Sequence, residues 1–312
     1  MNDRQAYSKV QSDGAITPKE GMMDMARAVW ANSRHLEVIR VPESWEMTKG
    51  EGVTIAVLDS GVDRMHPDLK ESVVGVFDTT GGDGSDSTGH GTHCIGLIAA
   101  QQGTDGVTGV SPDAKIVSIK VIDKNNHGSV TMLRDGLRKA IDMNVDIINL
   151  SLGTKTHPGP DVELLLDEAE EKGILVVAAS GNESGPVMFP ARFDNVIAVS
   201  GIDEKGIRSD FSNYGIENLV CAPSVALVST FPGNRYAKMS GTSMAAAVIT
   251  GILSLGISIL KNQKSGNIRS RELILDLLPT VSNDSGDPGR DVFYGWGVLD
   301  STRFCRNVSN GL

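Results

Sequence analysis

The feature that most constrains the fold is a series of short runs rich in Val, Ile and Leu, separated by polar and Gly-rich segments. Strands of a parallel sheet read this way, because they are covered on both faces and need no polar face for water. Alternation of such strands with helices predicts an α/β fold, here a doubly wound, mostly parallel sheet in three layers. The runs that we expect to form strands are residues 53–61, 73–77, 115–121, 145–153, 173–181 and 195–201.

Two segments between these runs have the periodicity of helices. Each places four apolar residues at spacings of three and four, which puts them on one helical face. Gly173 follows the second segment and is a suitable C-terminal cap. In an open α/β sheet of this kind the functional site lies at the carboxyl ends of the strands. The apolar faces consist of Leu133, Leu137, Ala140 and Ile141 in the first helix, and Val162, Leu165, Leu166 and Ala169 in the second.

Charge and cysteine content restrict the partners and the compartment. The formal net charge is −10, and such a surface should repel nucleic acid and anionic membranes, so we expect protein or peptide partners. The three cysteines lack zinc-type spacing, which favours buried thiols. We see no apolar stretch of signal-peptide length near residue 1 and no run as long as a membrane span. We therefore expect a cytoplasmic protein, or a secreted one given without its signal.

Three polar residues stand where such a fold places its site. Asp59 ends the first apolar run, His90 lies in GHGTHC before a predicted helix, and Ser243 lies in GTSMAAA before a long apolar helix. A serine hydroxyl becomes an effective nucleophile only when a base removes its proton. Histidine titrates near neutral pH and suits this role, and a buried carboxylate fixes its tautomer and stabilises the imidazolium.

Each of these residues also has an ordinary structural interpretation. An Asp at a strand end is commonly a turn former or helix cap, as is a Ser before a helix. A His flanked by glycines can bind a metal. The order Asp59, His90, Ser243, with the local contexts given above, favours a hydrolase with a catalytic triad.

The motifs DSGVD (59–63), GHGTHC (89–94) and GTSMAAA (241–247) resemble the catalytic signatures of the subtilases. The resemblance runs from about residue 41 to 304 and is strongest to the intracellular subtilisins. It implies a subtilisin-like peptidase domain at 41–304, an N-terminal extension at 1–40 with a regulatory role, and a C-terminal tail at 305–312. It also implies a serine endopeptidase that works through an acyl-enzyme.

Further site residues are implied by the same resemblance. Asn182, in AASGNE, matches the asparagine that completes the oxyanion hole. The strands that pair with an extended substrate correspond to Ser151, Leu152 and Gly153 on one side and to His127 and Gly128 on the other. The walls of the primary substrate pocket correspond to Glu183, Met188 and Phe189, and Met188 stands where a glycine is common, so the pocket should be partly filled.

A structural calcium site is the cofactor that the resemblance implies. It would use Asp68 and oxygens of Gln101, Asp105 and Val107, although Gly103 replaces an expected asparagine ligand and weakens it. Calcium needs about six or more oxygens. The alternative is that Asp68 caps the turn after Pro67. Leu219 stands where a second cation site has an aspartate, so no second site is expected.

One residue departs from the family signature. Ala247 stands where the family has proline, so this position keeps a backbone N–H that proline lacks. The leading interpretation is an endopeptidase of broad specificity. A maturation protease or peptide ligase with one substrate would share the same triad, and an inactive binding protein is a third reading.

Overall fold

The predicted Val/Ile runs form the strands of a nine-stranded sheet in the computed structural model, which describes residues 34–101, 106–263 and 270–311. The strands in chain order are β1 Thr54–Asp59, β2 Val73–Asp78, β3 Lys115–Lys120, β4 Ile147–Leu150, β5 Leu175–Ala179, β6 Ile197–Ile202, β7 Asn218–Pro223, β8 Leu227–Phe231, β9 Arg235–Met239, β10 Ser282–Asn283 and β11 Val298–Leu299. The order across the sheet is β10-β11-β7-β6-β5-β4-β1-β3-β2, while β8 and β9 form a separate antiparallel hairpin. All pairs in the large sheet are parallel except β10 with β11.

Helices cover both faces of the sheet. They are α1 Val41–Ser44, α2 His90–Ala99, α3 Val130–Asp142, α4 Pro160–Glu171, α5 Thr242–Asn262, α6 Ser270–Val281 and α7 Ser301–Ser309. Successive side chains of β1 enter different cores: Ile55 belongs to the core with α2, α5, α6 and α7, whereas Ala56 belongs to the core with α3 and α4. The predicted three-layer, mostly parallel α/β fold is therefore confirmed.

The two predicted helices have their expected faces buried. Ser129 caps α3 by accepting from the Met132 N–H. Gly173 has a φ of +74° just beyond α4, and its N–H donates to the Glu170 carbonyl at 2.8 Å. Glycine is suited to this left-handed position, as the sequence predicts.

The secondary structure of the last third of the chain differs from the prediction. The Pro, Gly and Asp residues of the segment 279–290 predict a surface loop, yet α6 continues through Pro279 to Val281. The buried side chains of Ile274, Leu277 and Leu278 outweigh the hydrogen bond that proline cannot donate. Strands β7 to β11 were not among the predicted runs.

The predicted domain boundaries at 40/41 and 304/305 do not match the packing. Leu36 and Ile39 already lie in the core, and the Ser301 N–H donates to the Ile39 carbonyl at 3.0 Å. Residues 305–309 are part of α7, with Cys305 and Val308 buried. The sequence predicted a tail here because polar residues alternate with the apolar ones, a pattern that is also typical of an amphipathic helix. Most of the predicted extension, residues 1–33, lies outside the described residues.

One helix contradicts the expectation that no run is as long as a membrane span. α5 has 21 residues and contains an 18-residue window with a mean hydropathy of 2.1, but 94% of this window is buried inside the protein. A helix that is hydrophobic all round is typical of a protein core as well as of a membrane. Here it is the central helix of one layer.

Candidate active site

Asp59 and His90 meet at the carboxyl end of β1. β1 delivers Asp59 at its last position, and α2 begins at His90. The His90 Nδ1 lies 2.8 Å from the Asp59 Oδ1, and both side chains are nearly fully buried. The same Asp59 oxygen accepts the Ser60 N–H at 2.7 Å. The carboxylate thus fixes the imidazole with Nδ1 as the donor, which leaves Nε2 free to take a proton.

The environment of His90 favours its protonated form. Burial alone lowers the pKa of the imidazole, but the charge of Asp59 and its hydrogen bond, together with Cys94, raise the pKa of His90 well above 6.5. A base of this kind is strong once it is neutral, so it suits proton abstraction at alkaline pH.

Ser243 and Asn182 lie together at the start of α5. Ser243 is the second residue of this helix and is buried. The Asn182 Oδ1 accepts both the Thr242 N–H at 2.8 Å and the Thr242 hydroxyl at 2.9 Å. A Cβ on Gly241 would lie 3.3 Å from the Asn182 Nδ2. Anchoring of the amide oxygen therefore leaves the NH₂ group beside the helix start as a donor.

A ladder of buried polar groups holds the start of α5 against β4. The Ser151 hydroxyl donates to the Ser243 carbonyl at 3.0 Å and accepts from the Asn149 amide at 3.0 Å. The Thr250 hydroxyl donates to the Asn149 Oδ1 at 2.9 Å. The Ser243 hydroxyl donates to the Ser151 carbonyl at 3.3 Å. Ala247 is fully buried within this part of the helix.

Met188 fills the space between two of the segments predicted to bind substrate. A Cβ on Gly153 would lie 3.2 Å from the Met188 sulfur, and one on Gly181 would lie 3.0 Å from it. Phe189 pairs with Thr154, which immediately follows Gly153. The structure therefore puts Met188 beside the Ser151–Gly153 segment.

The other predicted substrate residues lie on loops. Glu183 forms an ion pair with Lys155, and its N–H donates to the Asn213 side chain at 2.8 Å. His127 is exposed in the turn before α3, where its N–H donates to the Asp123 carboxylate at 3.0 Å, and Gly128 follows it.

Three of the residues predicted to bind calcium, Asp68, Gln101 and Val107, lie together in the structure. The Asp68 Oδ2 accepts the Val107 N–H and the Tyr236 hydroxyl, each at 2.9 Å. The Gln101 N–H donates to the Asp68 carbonyl at 2.8 Å, and the Gln101 amide donates to Pro112. Asp105 lies outside the described residues. Two donors thus compensate the Asp68 charge, while the anionic side chain that calcium prefers remains in place.

Sequence reasoning missed two buried groups beside the predicted triad. Cys94 lies one helical turn after His90, with its sulfur 3.9 Å from the His90 Nδ1. Asp86 precedes His90 by four residues and makes hydrogen bonds to the start of α2. The signal for Asp86 was its position just before a helix that has glycine as its N-cap.

Comparison with known proteins settles the family. The sequence pattern described as the subtilase family matches residues 50–297. The chain belongs to the subtilase family. It is a serine endopeptidase of the subtilisin type, and the Asp59–His90 pair fits the catalytic triad of that family.

Individual relatives are similar over most of this subtilase. A thermophilic serine proteinase of Bacillus sp. (strain AK1) is 38% identical over 263 residues, which are 83% of this chain and 63% of the relative. A thermostable alkaline protease of Halalkalibacterium halodurans is 41% identical over 255 residues, 81% of this chain and 68% of its own. An intracellular serine protease of Paenibacillus polymyxa is 40% identical over 289 residues, which are 86% of this chain and 87% of the relative. The match thus spans less than two thirds of the first of these relatives. The intracellular protease and the alkaline protease have similar identities to this chain, so identity does not favour either group.

Proposed function

We propose that Asp59, His90 and Ser243 hydrolyse peptide bonds of protein substrates, with Asn182 and the Ser243 N–H as the oxyanion hole. The observation that carries this proposal is the buried Asp59–His90 hydrogen bond of 2.8 Å. The Ser243 oxygen attacks the substrate carbonyl carbon while the His90 Nε2 takes its proton, and Asp59 stabilises the imidazolium. His90 then protonates the leaving amine, which gives an acyl-enzyme that water hydrolyses by the same steps.

The oxyanion is the charge that this site must stabilise. The Asn182 NH₂ group is oriented by Thr242, which donates twice to the amide oxygen. The Ser243 N–H lies in the first turn of α5, where the helix dipole favours negative charge. Donors that are oriented before the reaction need little reorganisation when the charge develops, which supports this assignment.

The decisive experiment compares Ser243→Ala with the wild-type protein. Casein hydrolysis and labelling by a fluorophosphonate should both be lost in the variant. A wild-type protein that neither labels nor cleaves would support the inactive binding protein instead. Digestion of a peptide library separates broad specificity, with many cleavage sites, from a maturation protease with one.

Met188 is proposed to limit the size of the substrate side chain that enters the primary pocket. An extended substrate that pairs its main chain with residues 151–153 and 127–128 gains affinity with little dependence on sequence. The side chain that enters the primary pocket meets the Met188 sulfur between Gly153 and Gly181. We therefore expect small side chains to be preferred at the residue whose carbonyl is attacked.

Calcium, where it binds, would act on stability rather than on the chemistry. Asp68 is the anionic ligand, supplemented by oxygens of Gln101, Asp105 and Val107. Because Tyr236 and Val107 already donate to the Asp68 Oδ2, the gain from an added ion is modest.

The proposed location is the cytoplasm. All three cysteines are free thiols buried in the protein, and burial raises the pKa of Cys305 to about 12. Such thiols are compatible with a reducing compartment. Fractionation of the source cells with an antibody tests this, and recovery from the medium alone would contradict it.

The residues before 34 are proposed to restrain the enzyme. Because Leu36 and Ile39 belong to the core, a truncation should stop before residue 34. Removal of residues 2–33 should raise the initial rate of peptide hydrolysis. Equal initial rates in the two proteins would refute the regulatory role.

A further inference from the structure

Asp86 caps α2 from outside the helix. The N-cap residue, Gly89, has no side chain that can accept a hydrogen bond. The Asp86 Oδ1 accepts the Gly89 N–H at 2.9 Å, and the Oδ2 accepts the Thr92 N–H at 2.9 Å and the Thr92 hydroxyl at 2.7 Å. These donors are among those that a helix start leaves unpaired, and the negative charge suits this end of the helix dipole. The carboxylate thus fixes the turn that carries His90.

Ser60 connects this cap to Asp59. The Ser60 hydroxyl accepts the Gly91 N–H at 2.9 Å, and its proton is directed to the Asp86 Oδ1 at 3.0 Å. The Ser60 N–H donates to the Asp59 Oδ1, the oxygen that also bonds to His90. Ser60 therefore ties Asp86 to both halves of the Asp59–His90 pair: its hydroxyl bonds to Asp86 and to the Gly91 N–H next to His90, and its backbone N–H bonds to Asp59.

A buried cation holds the same path from the other side. Lys120, the last residue of β3, is 6% exposed and donates to the carbonyls of Ser60 and Ser85. Ser85 is the neighbour of Asp86, so the ammonium group joins the loop after β1 to the loop before α2. Asp86 is itself 8% exposed, and a buried carboxylate is stable there only because its donors are in place.

The start of α2 packs closely against the loop after β1. A Cβ on Gly91 would lie 2.2 Å from the Gly61 carbonyl oxygen and 3.2 Å from the Cβ of Asp59. A shift of the α2 start by even a fraction of this spacing alters the distance between Asp59 and His90. Displacements near 1 Å at a catalytic centre cost about a hundredfold in rate.

We propose that Asp86 is a positioning residue, which acts through Ser60 to set the geometry of His90 relative to Asp59. The proposal rests on the catalytic roles proposed above for these two residues. Because Asp86 is buried and bonds to the start of α2, we expect its loss to lower kcat and to leave KM nearly unchanged. A helix cap alone would affect thermal stability without this split.

The test compares Asp86→Asn, Ser60→Ala and Asp83→Asn. Asp86→Asn is isosteric, but its NH₂ group cannot accept hydrogen bonds, so the variant loses either the bonds from Thr92 or those from Gly89 and Ser60. Ser60→Ala removes only the connecting hydroxyl. Asp83→Asn is the matched control, because Asp83 is an exposed acid of the same loop whose carboxylate accepts from Ser85. Thermal unfolding is measured for each variant alongside kcat and KM on a chromogenic peptide.

Asp86→Asn and Ser60→Ala should each lower kcat by about tenfold to a hundredfold with KM within about twofold. The kcat of the double variant should be no lower than that of the more impaired single variant, since both substitutions act through one path. The low-field proton resonance of the His90 Nδ1–H should weaken in both. If Asp86→Asn does not fold, Ser60→Ala decides.

Wild-type kcat in Ser60→Ala, additive losses in the double variant, or an equal loss in Asp83→Asn would each overturn the proposal. Ser243→Ala is assayed in the same series. Activity retained in that variant would refute the proposed catalytic function itself, whatever the other variants do.

Discussion

His93 should make this protein sensitive to acid over a defined range of pH. The side chain is fully buried, and its Nε2 lies 3.1 Å from both the Leu227 and the Ala237 carbonyl oxygens, which join α2 to the β8–β9 hairpin. Since carbonyls only accept, Nε2 carries the proton of a neutral ring. Burial, with the charge of nearby His90, lowers the pKa of His93 to about 3.

The magnitude follows from the difference between the native and the unfolded chain. The unfolded chain takes up the proton near pH 6.5, whereas the native protein takes it up only near pH 3. Above about pH 6.5 His93 is neutral in both states and the native protein keeps its full stability. As the pH falls from about 6.5 to about 3, an interval of about 3.5 pH units, the native protein loses stability relative to the unfolded chain, which binds the proton more readily. At about 1.4 kcal/mol per pH unit, His93 alone removes about 5 kcal/mol from the free energy of unfolding. That is a large part of a typical total of about 5–15 kcal/mol. His90 contributes in a different range, because its raised pKa changes stability only above pH 6.5.

His93→Gln is the variant that tests this. The glutamine amide has two protons with which to reach both carbonyls, but it does not titrate. We expect the variant to be less stable at pH 8 because the ring's packing is lost, and to lose about 5 kcal/mol less than the parent protein between pH 6.5 and pH 3. The assay is urea unfolding at a series of pH values, with both proteins in a Ser243→Ala background to prevent autolysis.

His157→Gln is the matched control, because it makes the same exchange at a side chain that is about half exposed. Parallel curves of unfolding free energy against pH for the parent and His93→Gln would refute the reasoning.

Four further predictions concern the active site and the metal. Asn182→Ala should lower kcat about 10²–10³-fold, the loss known for the same donor in subtilisin, and a raised KM with unchanged kcat would contradict its role. Met188→Gly should increase kcat/KM for peptides with large aromatic residues at the cleaved position at least about tenfold relative to alanine peptides; an unchanged ratio removes Met188 from the pocket. Millimolar calcium should raise the melting temperature by a few degrees over chelator, and Asp68→Asn should abolish the rise; equal melting temperatures exclude the ion. Ala247→Pro removes an N–H that can bond to the Ser243 carbonyl and should speed ester hydrolysis relative to aminolysis by an added amine; an unchanged product ratio shows that the alanine is neutral.

Much of the fold and the centre of the site could be predicted from the sequence. The strands β1 to β6 were found because a strand covered on both faces needs a continuous apolar run, a property of neighbouring residues. The helices α3 and α4 were found by their spacing of apolar residues. The sequence also pointed to Asp59 and His90, which lie at a strand end and a helix start and are in contact in the structure. Ser243 was proposed on the same ground, its place at a helix start in a short motif.

The tertiary structure alone decided the remaining features. The Asp86–Ser60 link, the place of Met188 between Gly153 and Gly181, and the lowered pKa of His93 all depend on groups that come from separate segments of the chain. The folding of residues 301–309 as a helix likewise depends on the core that buries its apolar face. Local patterns report which side chains avoid water, because that property belongs to each residue and its neighbours. They do not report which distant groups become its partners, since hydrogen-bond geometry, steric fit and desolvation are set only when the layers pack together.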